Sequence, residues 1–336
     1  VVEEGRRYNL AGRAKTIYVG GGSPSCLAVG ELCRLIDYVG GLALREGVEF
    51  TVEMNPGQVD GGVLAELRGR GVNRVSFGAQ SFDDEVLKLL GRRHGAAEVY
   101  RAVELARGAG FGNVSIDLIF AVPGQSMGSW ESTLGEAIGL GVEHVSAYSL
   151  SFEAGTEFSR RLESGGMRRA DEEVELGMYE RAIDLLGAVG LRQYEVSNFA
   201  RAGFECEHNG VYWANESYVG LGPSAGSYYG GKRTMNVADL REYVSKVKAG
   251  GDAFCEVVEK CGIEEARETA VLNLRRVGGI DYAEFLGRTG CDARELFGAV
   301  IDRYVGEGLM VADAAGVRLS GRGLYIADSI VCDFVG

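Results

Sequence analysis

The residues of this sequence that could do chemistry fall at the ends of apolar runs. Gly20 to Ser25, GGGSPS, follows TIYV directly and precedes a helical pattern. Three glycines let a backbone come close to a ligand, and such a turn can hold a carboxylate, a phosphate or an amine-bearing molecule, although a tight structural turn uses the same residues. Glu53 closes a second run and precedes Asn55-Pro56-Gly57, so its carboxylate could reach a ligand hydroxyl or ammonium; left to itself it is simply solvated. Gln80 and Asp117 take similar strand-end positions. Asp117 lies between Ile116 and Leu118 in a strongly apolar run, where an unpaired carboxylate is costly and needs a partner or a ligand. Arg92, in LLGRRH after a short helix, reads by itself as a surface arginine.

Of the three histidines, His94 and His144 flank turns and read as structural. His208 stands in Cys206-Glu207-His208-Asn209-Gly210-Val211-Tyr212-Trp213, where an imidazole, a thiol and two aromatic rings fall close together. Two ligands do not make a metal site. An imidazole beside flat rings suits an axial haem site, and equally suits a packed junction between domains.

The elements that must position these residues belong to an ordinary globular chain. It has 336 residues, 46% hydrophobic and 25% charged, which points to about two domains and excludes a disordered or fibrous protein. A net charge of −13 argues against nucleic acid as a partner, because phosphate neutralisation needs a basic face. Glycine, at 52 residues, is about twice its usual ~7% share, which favours backbone-lined sites. Seven cysteines, none in a Cys-x-x-Cys pair, argue against a disulfide framework and a zinc ribbon and fit a reducing, cytoplasmic setting. Apolar runs are too short for a membrane span, and VVEEGRRYNL lacks both signal-peptide character and an initiating Met.

Strand-like runs at Lys15 to Val19, Glu49 to Met54, Asn73 to Ala79, Asn113 to Phe120 and His144 to Leu150 alternate with helical patterns at Ala28 to Leu44, Gly62 to Arg70, Ala96 to Ala109 and Ser129 to Leu140. This alternation predicts a parallel sheet with helical crossovers, a βα-barrel or an open α/β sheet, with ligands gathered at the strands' C-terminal ends. A further helix is predicted over Asp171 to Val189. RQYEVSNFARAGFECEHNGVYW reads as poor in helix formers, and Gly220 to Gly231 as turns or a loop. Helical segments at Glu264 to Arg275, Asp281 to Thr289 and Asp292 to Gly306, a strand pair at Met310 to Ala312 and Val317 to Leu319, and a helix from Gly321 predict a winged-helix-like module.

In order and spacing, GGGSPS after TIYV, EMNPG, VNRVSFGAQSFDDEVLKLLGRRH, FGNVSIDLIFAVPGQ, HVSAYSLSFEAGT, QYEVSNFAR and CEHNGVYW resemble the radical SAM haem chaperones of the HemW type, relatives of oxygen-independent coproporphyrinogen III oxidase. The resemblance runs from about Thr16 to the C-terminus. It implies a partial (βα)6 radical SAM barrel lacking its first strand, over residues 1–200, a connecting segment with HNGVYW over 201–260, and an accessory domain over 261–336. It implies that Gly21, Gly22, Ser23, Glu53, Gln80, Arg92 and Asp117 hold S-adenosylmethionine, with Ala147 near the adenine. It links the HNxxYW element, here His208, Asn209, Tyr212 and Trp213, with haem.

The chain departs from the family at the Cys-x-x-x-Cys-x-x-Cys motif that holds a 4Fe-4S cluster, for which it has no such spacing. The family pattern puts that motif upstream of TIYVGGG, so a truncated N-terminus is expected, with Lys15 to Val19 left as a sheet edge. The expected function is haem binding and delivery to a haem-accepting, membrane-associated protein by a chain that is not itself a membrane protein. The alternatives are an anaerobic coproporphyrinogen III oxidase and a scaffold that only binds a partner. HNGVYW favours the chaperone.

Overall fold

The computed structural model describes residues 1–153 and 155–335. Ala154, inside the strand-end segment YSLSFEAGT, and Gly336, at the end of the expected accessory domain, lie outside the described residues. The chain divides into two compact units, one formed by Ile17–Gly40 and Glu49–Glu205, the other by Val1–Thr16, Gly41–Val48 and Cys206–Gly336.

In chain order, a one-turn helix α1 (Val2–Gly5) precedes β1 (Thr16–Val19), α2 (Val29–Gly40), β2 (Glu49–Met54), α3 (Gly61–Gly69), β3 (Arg74–Gln80), α4 (Asp84–Leu89), α5 (Ala96–Gly108), β4 (Asn113–Phe120), α6 (Met127–Gly139) and β5 (His144–Ser149). Then come α7 (Glu157–Glu163), α8 (Glu172–Ala188), β6 (Arg192–Glu195) and β7 (Asn198–Ala200). The sheet order is β1-β2-β3-β4-β5-β7-β6, with β2 to β5 parallel and β7 antiparallel to both its neighbours. β1 is an edge, with β2 its one neighbour among the described residues. The crossovers start where a side chain caps the helix: Asp60 accepts from the Gly62 and Val63 N–H groups, Asp83 from Glu85 and Val86, and Ser126 from Ser129. They stop at Gly71, Gly110 and Gly141, whose φ values of +93°, +87° and +64° suit glycine at C′.

The two faces of this sheet differ in chemistry. Val52, Val75, Phe77, Val114, Ile116, Leu118 and Val145 are fully buried, forming the apolar face of the sheet. The alternate residues, Thr51, Glu53, Arg74, Ser76, Ser115, Asp117, His144 and Ser146, share the other face, as strand alternation and the parallel register require. A polar inner face on a parallel sheet is what a binding cleft needs.

The second unit contains α9 (Glu207–Trp213), β8 (Gly226–Tyr229), β9 (Lys232–Asn236), α10 (Leu240–Lys248), β10 (Phe254–Glu259), α11 (Ile263–Asn273), β11 (Ile280–Asp281), α12 (Tyr282–Thr289), α13 (Ala293–Gly306), β12 (Met310–Ala312), β13 (Gly316–Leu319), α14 (Gly321–Tyr325) and α15 (Ala327–Val335). β8 to β10 form one antiparallel sheet and β11, β13 and β12 another, the wing beside α12 and α13. The N-terminal turn is tied in by Glu4, only 4% exposed, whose carboxylate accepts from the Gly222 N–H at 2.9 Å, the Asn236 amide at 2.6 Å and the Tyr243 hydroxyl.

Four expectations change. The helix expected to Leu44 ends at Gly40, because Ala43 instead bridges Ala14 and the Leu44 N–H bonds the Ala14 carbonyl. The aromatic-rich stretch after Leu191 forms the hairpin β6–β7, adding two strands to the five expected, and then α9, so HNGVYW lies on a helix. Gly220 to Gly231 carries β8 rather than only turns, since tertiary pairing with β9 overrides its glycine content. The terminal helix is broken in two at Ile326.

Glu4→Ala leaves three donors facing a buried hole and should cost about 3–5 kcal/mol in urea denaturation, whereas Tyr243→Phe, which removes one donor, should cost about 1.5–3 kcal/mol. A loss below about 1 kcal/mol for Glu4→Ala would show that the N-terminal turn is not held through this carboxylate.

Candidate functional site

Glu53 is the centre of the cleft on the inner face. Its Oε1 accepts from the Tyr18 hydroxyl at 2.8 Å and its Oε2 from the Gly21 N–H at 3.2 Å. Burial, and Glu53 beside it, hold the Tyr18 phenol well above its usual range, so it stays protonated and donates. A Cβ on Gly20 would sit 2.6 Å from Glu53 Cδ, so a side chain there would push this carboxylate off its bonds to Tyr18 and Gly21; Gly21 takes φ +76°. The two loops are tied further along, where Ser25 Oγ donates to Gln58 Oε1 at 2.9 Å. Ser23 precedes the short turn Pro24–Cys26 and is exposed, as are Gly21 and Gly22, so this rim is open to a ligand.

Asp117 finds the partner its apolar surroundings require. Ser76 Oγ donates to Oδ1 at 3.1 Å, and Ser146, in register on β5, also bonds the carboxylate. Burial pushes the Asp117 carboxyl up to about 6, and neighbouring Glu53 pushes the same way, while the bond from Ser146, the Arg74 guanidinium and Ser76 oppose the rise. Arg92 follows α4 with its guanidinium partly withdrawn from water; burial lowers its pKa and Asp117 opposes the fall, so its charge acts on the same carboxyl. Gly21, Glu53, Arg92 and Asp117 are thereby brought to one end of the sheet.

Gln80 ends β3 after a bulge, with φ +66°, is 8% exposed, and folds its amide back over Gly78, where a Cβ would lie 2.9 Å from Nε2. Ala147 is buried with its side chain on the face opposite Ser146, and its N–H donates to the Ser197 carbonyl at 2.8 Å; it offers the cleft backbone rather than side chain. His144 follows the turn at Gly141 and opens β5, buried between Ser115 Oγ (2.8 Å) and the Tyr194 hydroxyl (2.9 Å), and burial holds it neutral. His94, also buried, bonds the Ala79 carbonyl at 3.1 Å.

In the other unit, both ring nitrogens of His208 are engaged. Nδ1 hydrogen-bonds with Thr16 Oγ1 and Nε2 with the Tyr212 hydroxyl, each at 2.8 Å. Tyr212 packs edge-on against Tyr218 at 4.6 Å. Trp213 lies under the Arg275 guanidinium, 5.6 Å from the ring centroid, and its carbonyl accepts from Asn273 at 2.8 Å. Arg233 secures the far end of α9 through Asn215 Oδ1 (2.6 Å), the Tyr218 hydroxyl (3.1 Å) and an ion pair with Glu268 (2.9 Å). Asn209 is half-buried on the same helix.

The sequence matches the Radical SAM superfamily over residues 1–137 and the HemN C-terminal domain over residues 262–326. It is 36% identical to the "heme chaperone HemW" of Bacillus subtilis over 324 residues, 96% of this chain and 86% of that protein. This chain belongs to the HemW family. Its similarity to the Lactococcus lactis HemW is 34% over 336 residues, 100% of this chain and 88% of that one. A mitochondrial radical S-adenosyl methionine domain-containing protein 1 of Danio rerio is 32% identical over 95% of this chain and 74% of its own length. The Escherichia coli coproporphyrinogen III oxidase HemN, a radical SAM enzyme, shares the fold, with a TM-score of 0.84 at 22% identity over 99% of this chain and 81% of that one.

Sequence reasoning missed Tyr18, Arg74, Ser76, Ser146 and Thr16 in this HemW-family chain. A signal was there: every second residue of RVSFGAQ and of HVSAY is polar or glycine, which marks one strand face as lining a cleft. Among the described residues no group of three or more His, Cys, Asp or Glu could hold a metal ion, and none of the seven cysteines forms a disulfide. The residues present therefore do not fit a 4Fe-4S cluster.

A carboxyl whose folded pKa lies above its unfolded one binds its proton more tightly when folded; it adds stability at low pH, and that contribution disappears as pH rises through about 6. Asp117→Asn should therefore raise the ligand-free Tm above wild type near neutral pH, with the gap closing towards about pH 4. A gap of constant size across that range, in thermal melts followed by circular dichroism, would contradict the burial of this charge.

Proposed function

We propose that this protein is a haem chaperone that binds haem and passes it to haem proteins, on a scaffold whose cleft takes S-adenosylmethionine. The observation that carries the first part is 36% identity to a protein named heme chaperone HemW over 96% of the chain. The second part is supported by the donor set. S-adenosylmethionine bears an ammonium, a sulfonium and two ribose hydroxyls, and Glu53 and Asp117 supply the acceptors such groups need. At Gly20 the loop runs so close that a side chain would displace the Glu53 carboxylate from its present position. Gly21, Gly22 and Ser23 would hold the amino-acid end, Glu53 the ammonium, and Gln80, Arg92 and Asp117 the remaining polar groups, with the Ala147 backbone beside the adenine. When bound, the group supplies a sulfonium centre; the residues of this chain bind and orient it.

His208, Asn209, Tyr212 and Trp213 are assigned to haem. An imidazole nitrogen can ligate iron only after giving up its present partner. Nε2 is the better candidate, because its partner is the Tyr212 hydroxyl one turn along the same helix, which a rotamer change can withdraw. Nδ1, bonded to Thr16, then keeps the ring oriented. Tyr212 and Trp213 add flat apolar surface for the macrocycle. Seven cysteines without a disulfide among them support a reducing, cytoplasmic setting, and the acceptors are haem proteins, membrane-associated ones among them. Among the described residues, no helix is long and apolar enough to cross a membrane.

Haem titration followed at the Soret band tests this reading. His208→Ala should weaken binding and shift the band, while Tyr212→Phe, which frees Nε2 of its competitor, should strengthen binding by up to about tenfold. Equal affinities and spectra in all three proteins would remove His208 from the iron.

A further inference from the structure

Nε2 of His208, the nitrogen assigned to iron, carries the Tyr212 hydroxyl one turn along α9, and Nδ1 carries Thr16, the first residue of β1. Lys15 directly precedes Thr16, and its Nζ lies 3.4 Å from Glu216 Oε2. Glu216 comes three residues after α9 and is folded back on it, since its N–H donates to the Val211 carbonyl at 2.9 Å. The segment entering β1 thus meets α9 twice, through Thr16 in the first turn and through Lys15 at the C-terminal end. All of these residues belong to one compact unit.

Haem brings two propionate carboxylates with its iron and macrocycle, and a chain with a net charge of −13 repels them unless a cation is at hand. Arginines that reach α9 or the residues just after it are already committed. Arg233 serves Asn215, Tyr218 and Glu268, Arg288 the Asn215 carbonyl, and Arg275 lies over the Trp213 ring with its guanidinium paired to Asp328. Lys15 is different. Its side chain is 71% exposed and that of Glu216 40%, and so exposed an ion pair contributes little, so exchanging one carboxylate for another takes little free energy.

We propose that Lys15 binds a haem propionate, and that Glu216 is the stand-in for that propionate, as the Tyr212 hydroxyl is for iron on Nε2. This rests on the haem reading above. The exchange keeps the lysine neutralised: one carboxylate leaves the ammonium, another takes its place, and Glu216 turns into water. Thr16 keeps its bond to Nδ1, so the lysine one residue away has its backbone anchored to the imidazole. A ligand held at both points takes one orientation on α9, with its carboxylate edge towards the helix C-terminus. A lysine at a helix C-terminus can also simply complement the helix dipole, and the experiment tells the two roles apart.

Haemin and its dimethyl ester, whose propionates carry no charge, are titrated into the full chain and followed at the Soret band, for wild type, Lys15→Gln, Lys15→Arg and Glu216→Gln. Lys15→Gln should weaken haemin binding about 3–10-fold and leave ester binding unchanged. The band should keep its position, because the iron ligand is kept. Lys15→Arg should stay near wild type. Glu216→Gln, which removes the internal competitor, should strengthen haemin binding about 2–5-fold and leave the ester unaffected. An equal loss for haemin and ester in Lys15→Gln would overturn the proposal, and so would no loss for either, which with a lowered Tm would assign Lys15 to the helix end alone. Weaker haemin binding by Glu216→Gln would show that Glu216 positions the lysine, and would overturn it too. In each of these cases a wild type whose Soret band depends on His208 leaves the haem reading standing, whereas a wild type that binds neither haemin nor ester removes both.

Discussion

The hydrogen bond from Ser76 to Asp117 marks the constraint on which the sheet unit depends: carboxylates have to be kept on the inner face of a parallel sheet, among protein rather than water. Parallel sheets are usually apolar on both faces, because crossovers cover them. Here one face keeps that character, while the other carries Thr51, Glu53, Arg74, Ser76, Asp117 and Ser146 in register. The Ser76 and Ser146 hydroxyls answer Asp117, and the Tyr18 hydroxyl answers Glu53. The same constraint suits the glycine at position 20, since a side chain on a turn passing so close over Glu53 would displace the carboxylate.

Ligand-free, this arrangement is poised against stability. Asp117 ionises only at the cost of leaving water, and its neighbour Glu53 adds to that cost. A cation bound between them would relieve both, which suits the cationic ligand proposed for this cleft. The second unit solves a related problem without a surplus of charge. Glu4 is answered by three donors, Arg233 by Asn215, Tyr218 and Glu268, and His208 by Thr16 and Tyr212. The bonds of His208 lie on α9 and those of Arg233 to Asn215 and Tyr218 lie just beyond its end, which ties down both ends of the HNGVYW helix.

The likeness to HemN at 22% identity shows how far one scaffold can be shared, and family membership rests instead on full-length identity to the HemW proteins. Apolar alternation and glycine-terminated crossovers build the sheet, while its other face and the HNGVYW helix carry the polar and aromatic side chains to which the proposed function is assigned.

Much was legible in the sequence. The five parallel strands, their capped crossovers and the wing with α12 and α13 follow from period-two and period-3.6 patterning and from Asp, Ser and Gly at element ends, all of them local properties. Glu53 and Asp117 were recognisable as strand-end acids, and Asp117 as one in need of a partner. What only the tertiary structure decided involves pairing between distant residues. The strands β6 to β10 arise from stretches with weak or contrary local preference, and α9 from one rich in aromatics. The partners Ser76 and Ser146, Arg74 beneath them, and the engagement of both His208 nitrogens depend on register between strands or on contacts across nearly two hundred positions, as between Thr16 and His208. Local propensity carries no information about such distances, because side chains meet there only after the chain has closed on itself.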